Sequence, residues 1–167
     1  MKTELTAERL CEVLAYDPET GNFKWRVKKA TWLSVGDQAG NQNVKIGYLQ
    51  IRIDGKLYYG HRLAFLYMAG TMPRYVDHIN CNKADNRWAN LREATQSQNI
   101  ANSGMFAHNK SGLKGVYWDK IRGEWGSKIK VMQKNIHLGF FGDCKAAAHL
   151  AYVVAADKYF GEFARSA

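Results

Sequence analysis

The dipeptide Asp54-Gly55 limits the fold more than any other short feature of the chain. It separates Gly47-Tyr-Leu-Gln-Ile-Arg-Ile53, in which apolar and polar residues alternate, from Lys56-Leu-Tyr-Tyr59. Alternation at period two marks a half-buried strand, and Asp-Gly tolerates the positive φ angles of a two-residue turn, so the segment reads as a β-hairpin. Leu49, Ile51 and Ile53 are expected on its buried face, with Tyr48, Gln50 and Arg52 on the outer one. A helix, His61-Arg-Leu-Ala-Phe-Leu-Tyr-Met-Ala69, follows and is stopped by Gly70.

Upstream, Thr3 to Ala15 has helical spacing, with Leu5, Leu10, Val13 and Leu14 on one side and Glu8, Arg9 and Glu12 on the other. Tyr16-Asp-Pro-Glu-Thr-Gly-Asn22 has turn composition. Phe23 to Val27 reads as a strand whose basic character continues into Lys28 and Lys29. Asn102 to Gly112 is small and polar, as linkers are. The expected organisation is therefore a domain over 1–102, a linker over 103–112 and a second domain over 113–167. The chain holds 24 Lys and Arg against 15 Asp and Glu, a net charge of +9 that favours a polyanionic partner. Cys11, Cys81 and Cys144 are scattered and form no CxxC pair, which argues against a disulfide framework or zinc ribbon and suits a reducing, cytoplasmic setting. No apolar run approaches the roughly 20 residues of a membrane span.

The stretch Val76 to Asn99 carries the chemistry. It sets Asp77 and His78 behind an apolar residue, then Asn90-Leu-Arg92, then Asn99. A histidine that titrates near neutrality can take a proton from water. A carboxylate and an amide oxygen are hard ligands for Mg²⁺ or Mn²⁺. The stretch resembles the core motif of HNH endonucleases, the ββα-metal nucleases, in the form found in phage and intron-encoded homing enzymes, whose last motif residue is Asn. The resemblance implies His78 as general base, Asp77 and Asn99 as ligands of one divalent cation, and Asn90 as the residue fixing the loop that presents His78. The ββα unit would cover about 75–102: a strand from Tyr75 to Ile79, a loop from Asn80 to Asn86, a second strand entered through Asn90 to Ala94, and a helix from about Ser97. Arg87 and Arg92 are candidate phosphate clamps, the alternative being carboxylate partners such as Asp85 or Glu93. His61-Arg-Leu resembles the segment that precedes this motif in phage HNH proteins, but a histidine at a helix start is more often structural, and His61 is left outside the catalytic set.

Beyond the linker, Gly115 to Asp119, Glu124 to Met132 and Asn135 to Phe140 read as three strands. Asp143 is expected to cap an alanine-rich helix running to about Tyr159 and ended by Gly161. Alternation places Trp125, Ser127, Ile129 and Val131 towards the helix, with Ile136, Leu138 and Phe140 beside them; Gly126, Lys128, Lys130, Asn135 and His137 point away. Residues 111–138 hold six Lys and Arg against two acids, whereas 139–167 hold three of each, so the positive charge belongs to the sheet. Gly115-Val116, Glu124-Trp125, Ile136 to Phe140, Ala146-Ala147 and Gly161 to Ala164 resemble the AP2 DNA-binding domain, which lays a three-stranded sheet into the major groove. The implied contacts are Tyr117, Lys120, Arg122, Lys128, Lys130, Lys134 and His137. This contact face departs from the plant pattern of Arg and Trp, so the plant target sequence does not carry over.

The expectation is an α+β protein: an N-terminal α/β module containing the ββα-metal unit, then an AP2-like sheet packed on one helix. Its function would be metal-dependent cleavage of double-stranded DNA, by nicking or by double-strand cutting, with no small-molecule cofactor, no membrane, and a monomeric or weakly dimeric state. The alternatives are a DNA-binding regulator with a silent HNH unit and, less attractively, an RNA substrate.

Overall fold

The computed structural model describes residues 4–105 and 109–165. Contacts divide the chain after Glu93 into two compact units. The sequence reading sets the boundary at 103–112, of which 106–108 lie outside the described residues.

In the first unit, Thr6 accepts from Arg9 N at 3.2 Å and caps α1 (Ala7–Val13). This helix is shorter than the expected Thr3 to Ala15, whose first residue lies outside the described residues. Leu14 leaves helical geometry (φ −129°, ψ 145°) while its N–H still bonds Leu10 O. The chain then runs as β1 (Leu14–Tyr16), antiparallel to β2 (Phe23–Trp25). That pairing buries Leu14, Tyr16, Phe23 and Trp25, a tertiary gain that outweighs the helical tendency of the segment. Asp17 closes the intervening turn, its carboxylate accepting from Glu19 N at 3.0 Å and Thr20 Oγ1 at 2.7 Å.

Next come β3 (Asn41–Gln42), β4 (Leu49–Ile53) and β5 (Lys56–Tyr59), an antiparallel sheet in that order. Ile53 pairs with Lys56 across Asp54 and Gly55, both at positive φ, as the hairpin reading requires. Ile51 and Ile53 are fully buried and Leu49 half-buried. α2 (Gly60–Ala69) ends at left-handed Gly70 and buries Leu63, Ala64 and Leu66 against the same core. Finally β6 (Val76–His78) pairs antiparallel with β7 (Leu91–Glu93) over three residue pairs.

The second unit begins with α3 (Gln96–Asn102). Thr95 and Gln98 cap it reciprocally: Gln98 N donates to Thr95 Oγ1 at 3.2 Å, and Thr95 N to Gln98 Oε1 at 2.8 Å. β8 (Val116–Asp119), β9 (Glu124–Val131) and β10 (Lys134–Phe140) form an antiparallel sheet with β9 in the middle. α4 (Lys145–Phe160) packs on it, and Ala101, Ile129, Tyr152, Ala155, Ala156, Phe160 and Phe163 form one buried cluster. Two expectations are corrected here. The N-cap of α4 is Cys144, without a side-chain cap bond, rather than Asp143. Phe140 does not join the helix-facing row, because β10 carries a register shift between His137 and Gly139. A bulge inserts one unpaired residue and reverses the alternation beyond it. The Phe140 ring consequently lies 4.5 Å from that of His137, on the outer face.

Gly115 shows how tightly helix and sheet meet. Its φ is +77°, and a Cβ there would overlap the Tyr152 ring. Gly115→Ala combines left-handed strain with overpacking and is expected to destabilise the second unit by about 2–4 kcal/mol, read as a lower urea midpoint.

Candidate active site

Asp77, His78 and Asn90 come together at the β6–β7 pair. All three are buried, and the register sets Asp77 opposite Arg92 and His78 opposite Leu91. Three residue pairs are too few to hold a two-stranded sheet rigid. The loop between the strands is fixed instead by its own asparagines. Asn90 Oδ1 accepts from Asn80 N at 3.0 Å, while Asn90 Nδ2 donates to Asn80 Oδ1 at 3.0 Å and to Asp85 O at 2.8 Å. Asn80 Nδ2 donates to Asp85 Oδ2 at 2.7 Å, and Asn82 N to Asn80 Oδ1 at 2.8 Å.

This network delivers Asn86, only 2% exposed, to the histidine. Asn86 Oδ1 lies 3.3 Å from His78 Nε2. In the tautomer protonated at Nε2 that nitrogen donates to the amide oxygen, and Nδ1 carries the lone pair. The turn after β1 supports the loop from behind. Tyr16 Oη donates to Asn86 O at 2.7 Å and Trp88 N to Pro18 O at 2.9 Å. Gly21, at φ +75°, sits so close to the Asn86–Arg87 backbone that any Cβ would collide with it.

Burial pushes the His78 imidazole below its ordinary value, against the opposing influence of the Asn86 contact and the charges of Asp77 and Asp85. The ring is therefore neutral at neutral pH, the state that can accept a proton. Arg92 and Arg87 both face carboxylates. Arg92 Nε donates to Asp77 Oδ2 at 2.9 Å, with both side chains largely shielded. Arg87 forks onto Asp85 at 2.8 and 2.6 Å, its guanidinium half exposed. That fork holds the Asp85 carboxyl well below the usual carboxylate range.

Asn99 lies half-buried on α3, within the second unit. Among the described residues no three His, Cys, Asp or Glu side chains gather as a metal cage. A carboxylate beside an imidazole instead suits a hard ion such as Mg²⁺ or Mn²⁺, which takes one or two protein oxygens and keeps several waters. The donor chemistry at Asp77 fits that kind of ion.

Three further rings pack around His78: His61, which the sequence leaves outside the catalytic set, and Tyr48 and Tyr59, which it does not place there. His61 is 7% exposed, with its ring 5.1 Å from His78 in an edge-to-face arrangement. Tyr48 lies 5.0 Å from His61 and 5.9 Å from His78, and Tyr59 stacks on His61 at 5.6 Å. Lys83 Nζ sits 4.8 Å over the Tyr48 ring. Tyr48 therefore faces this cluster rather than an outer strand surface. His61 Nδ1 is buried and has no hydrogen-bond partner among the described residues. Burial, followed by the nearby His78 and Arg62, pushes its pKa down to about 3. Tyr59 and His61 stand two apart across the β5–α2 junction, which is the one sequence signal that could have joined them.

The second-unit candidates gather in part. On the outer sheet face, Lys128 Nζ lies 4.9 Å over the Tyr117 ring, Tyr117 is 6.4 Å from His137, and Arg122 is 4.5 Å over Phe140. Lys130 pairs in register with Asn135, one step beyond Lys128 and His137. Lys120, before β9, and Lys134, at the start of β10, are exposed.

Residues 58–101 match the model of the HNH endonuclease family; that span contains His61, Asp77, His78, Asn90 and Asn99. Over 62 residues the chain is 40% identical to Protein 3.8 of Escherichia phage T7, an overlap of 36% of this chain and 51% of that protein. The chain thus spans about half the length of the curated relative it matches. No solved structure matches it. Among the described residues no helix is long and apolar enough to cross a membrane.

The buried His61 yields a pH prediction. Its unfolded imidazole titrates near 6.5 and its folded one near about 3. Below 6.5 the unfolded chain thus takes up a proton that the folded chain refuses, and stability falls as pH drops towards 3, by on the order of a few kcal/mol across the window. His61→Phe keeps a ring and removes the titration, so its melting temperature should decline less over that range than the wild type's.

Proposed function

We propose that the chain is a divalent-metal-dependent endonuclease that hydrolyses phosphodiester bonds in double-stranded DNA. The observation carrying this reading is a buried, neutral His78 beside the Asp77 carboxylate, at the end of β6 where a loop locked by Asn90 begins, within the span that matches the HNH family model. When bound, one Mg²⁺ or Mn²⁺ supplies positive charge at the scissile phosphate. Asp77 and Asn99 are the residues proposed to hold it.

The protein groups have separate tasks. His78, with Nε2 towards Asn86, accepts the proton of the attacking water at Nδ1. Arg92 orients the Asp77 carboxylate through its 2.9 Å bond. Arg87 is exposed enough to exchange Asp85 for a phosphate oxygen, since guanidinium binds either bidentately. Asn90 positions the loop and does not touch the reacting atoms. We further propose that the second unit is AP2-like, that it binds DNA through Tyr117, Lys120, Arg122, Lys128, Lys130, Lys134 and His137, and that 103–112 acts as the linker. Lysines suit phosphates more than base edges, so this face supplies affinity that weakens with salt. Similarity to a phage protein and the Asn-type motif support a homing-type or phage setting.

The test is conversion of supercoiled plasmid in Mg²⁺, Mn²⁺ or EDTA. His78→Gln and Asp77→Asn are the informative variants, since Asp77→Ala would strand the Arg92 guanidinium. Each should reduce cleavage by at least ~10²-fold while gel-shift affinity in EDTA stays near that of the wild type. Undiminished cutting by His78→Gln would remove His78 as the base. Salt-sensitive binding with no metal-dependent cutting of any DNA would favour a non-cleaving regulator.

A further inference from the structure

A second feature of the first unit lies outside the His78 cluster and shares no residue with it. A groove of about 470 Å³ runs between the segment after β2 and the β3–β5 sheet, with Trp25, Trp32, Lys29 and Arg52 among its walls. Its volume falls within the roughly 300–1,000 Å³ of ligand clefts. Trp32 is 81% exposed, although an aromatic ring of this size ordinarily contributes most by burial. The segment that carries it is tied down. Leu33 N donates to Ala30 O at 3.2 Å, Ser34 N to Asp37 Oδ2 at 2.7 Å, and Gly36 N to Trp25 O at 2.8 Å. The indole is thus presented on a hydrogen-bonded loop.

The chemistry of the walls selects the occupant. No lining side chain is acidic, and two are cationic. Lys29 Nζ lies 5.0 Å over the Trp25 ring. The acids nearest in sequence are engaged, Asp37 by Ser34 N, and Asp54 by Arg9 at 3.0 and 3.1 Å. Asn41 and Gln50, register partners on β3 and β4, add amide donors and acceptors. Exposed indole, flanking cations and paired amides match a nucleotide: a base to stack on, a phosphate to neutralise, and base edges to bond. An apolar or uncharged partner would leave Lys29 and Arg52 unanswered.

We propose that this groove is a stacking subsite for one unpaired nucleobase of the bound strand, with Trp32 as the platform and Lys29 and Arg52 at its phosphate. The proposal rests on the nucleic-acid reading above and adds where a base leaves the duplex stack. The experiment measures binding by the full chain in EDTA, where nothing is cut, using fluorescein-labelled single strand and matching duplex. Trp32→Ala should weaken single-strand binding by about tenfold or more at fixed salt, with an unchanged melting temperature because the side chain is exposed. Trp32→Phe should retain most of the affinity. Arg52→Ala should reduce the salt slope by about one, whereas Trp32→Ala should leave it unaltered. Wild-type affinity in Trp32→Ala overturns the subsite alone if the wild type still cuts plasmid; absence of any nucleic-acid binding by the wild type overturns both readings. Loss of a concentration-dependent dimer in Trp32→Ala, with nucleic-acid affinity intact, overturns the subsite in favour of a protein contact.

Discussion

The three hydrogen bonds of the Asn90 amide are the constraint on which the first unit's site depends. β6 and β7 pair over only three positions, and a two-stranded ribbon of that length is marginal in water. The loop between them holds its shape because nearly every turn in it is closed by a side-chain oxygen or amide. Such a network is cooperative and costly to leave half made, since each buried polar group that loses its partner forfeits about 1–3 kcal/mol. The loop therefore behaves as one piece, and Asn86 reaches His78 as a consequence. The turn after β1 is the outer brace, with Tyr16, Pro18 and Gly21 all bearing on residues 86–88.

Electrostatics divides the same site into a charged side and a neutral side. Asp77 and Arg92 neutralise each other in a shielded setting, where removing either partner alone typically costs about 3–5 kcal/mol. A few ångströms away two imidazoles are packed edge to face with two tyrosines around them. They cannot both be protonated cheaply at that distance without solvent between them. Burial keeps His61 neutral throughout the physiological range, whereas at His78 the effect of burial is opposed by the Asn86 contact and the charges of Asp77 and Asp85. A histidine whose Nδ1 lacks a partner among the described residues has a folding cost, and buried unsatisfied groups of this kind concentrate where function requires them.

Much of this was legible in the sequence where one local rule operated alone. The Asp54-Gly55 hairpin and the Gly70 stop appear where turn chemistry places them, and alternation assigns Ile51, Ile53, Ser127 and Ile129 to buried faces. The misses share a physical cause: they depend on partners distant in the chain. Leu14 to Tyr16 became a strand because Phe23 to Trp25 was there to pair with it. Phe140 changed face because of an irregularity in pairing that no residue of β10 announces by itself, although Gly139 at φ +131° permits it. His61 reads as an ordinary helix-start histidine until the hairpin brings Tyr48 and Tyr59 around it. The sequence leaves Arg87 and Arg92 open between phosphate clamps and partners of nearby carboxylates such as Asp85 or Glu93; Arg87 meets Asp85, and only the strand register shows that Arg92 meets Asp77 rather than Glu93.

The bulge in β10 also changes what the outer face of the second unit can do. With strict alternation that face would present Lys128, Lys130 and His137 over a mostly polar surface. With Phe140 added, aromatic rings lie beneath two of its cations, Tyr117 under Lys128 and Phe140 under Arg122. A cation resting on a ring is already restricted, so less side-chain freedom is lost when it meets a phosphate, and the ring stabilises it by about 0.5–1 kcal/mol at exposed sites. On the proposed DNA-binding reading, such a surface would gain affinity through prior ordering rather than through a larger number of charges. It gains little base discrimination, because Lys128 offers a point charge where guanine recognition wants a fork. Among the described residues of that face Arg122 has the fork, and on the proposed reading its place over Phe140 makes it the position where a sequence preference of the sheet would be set.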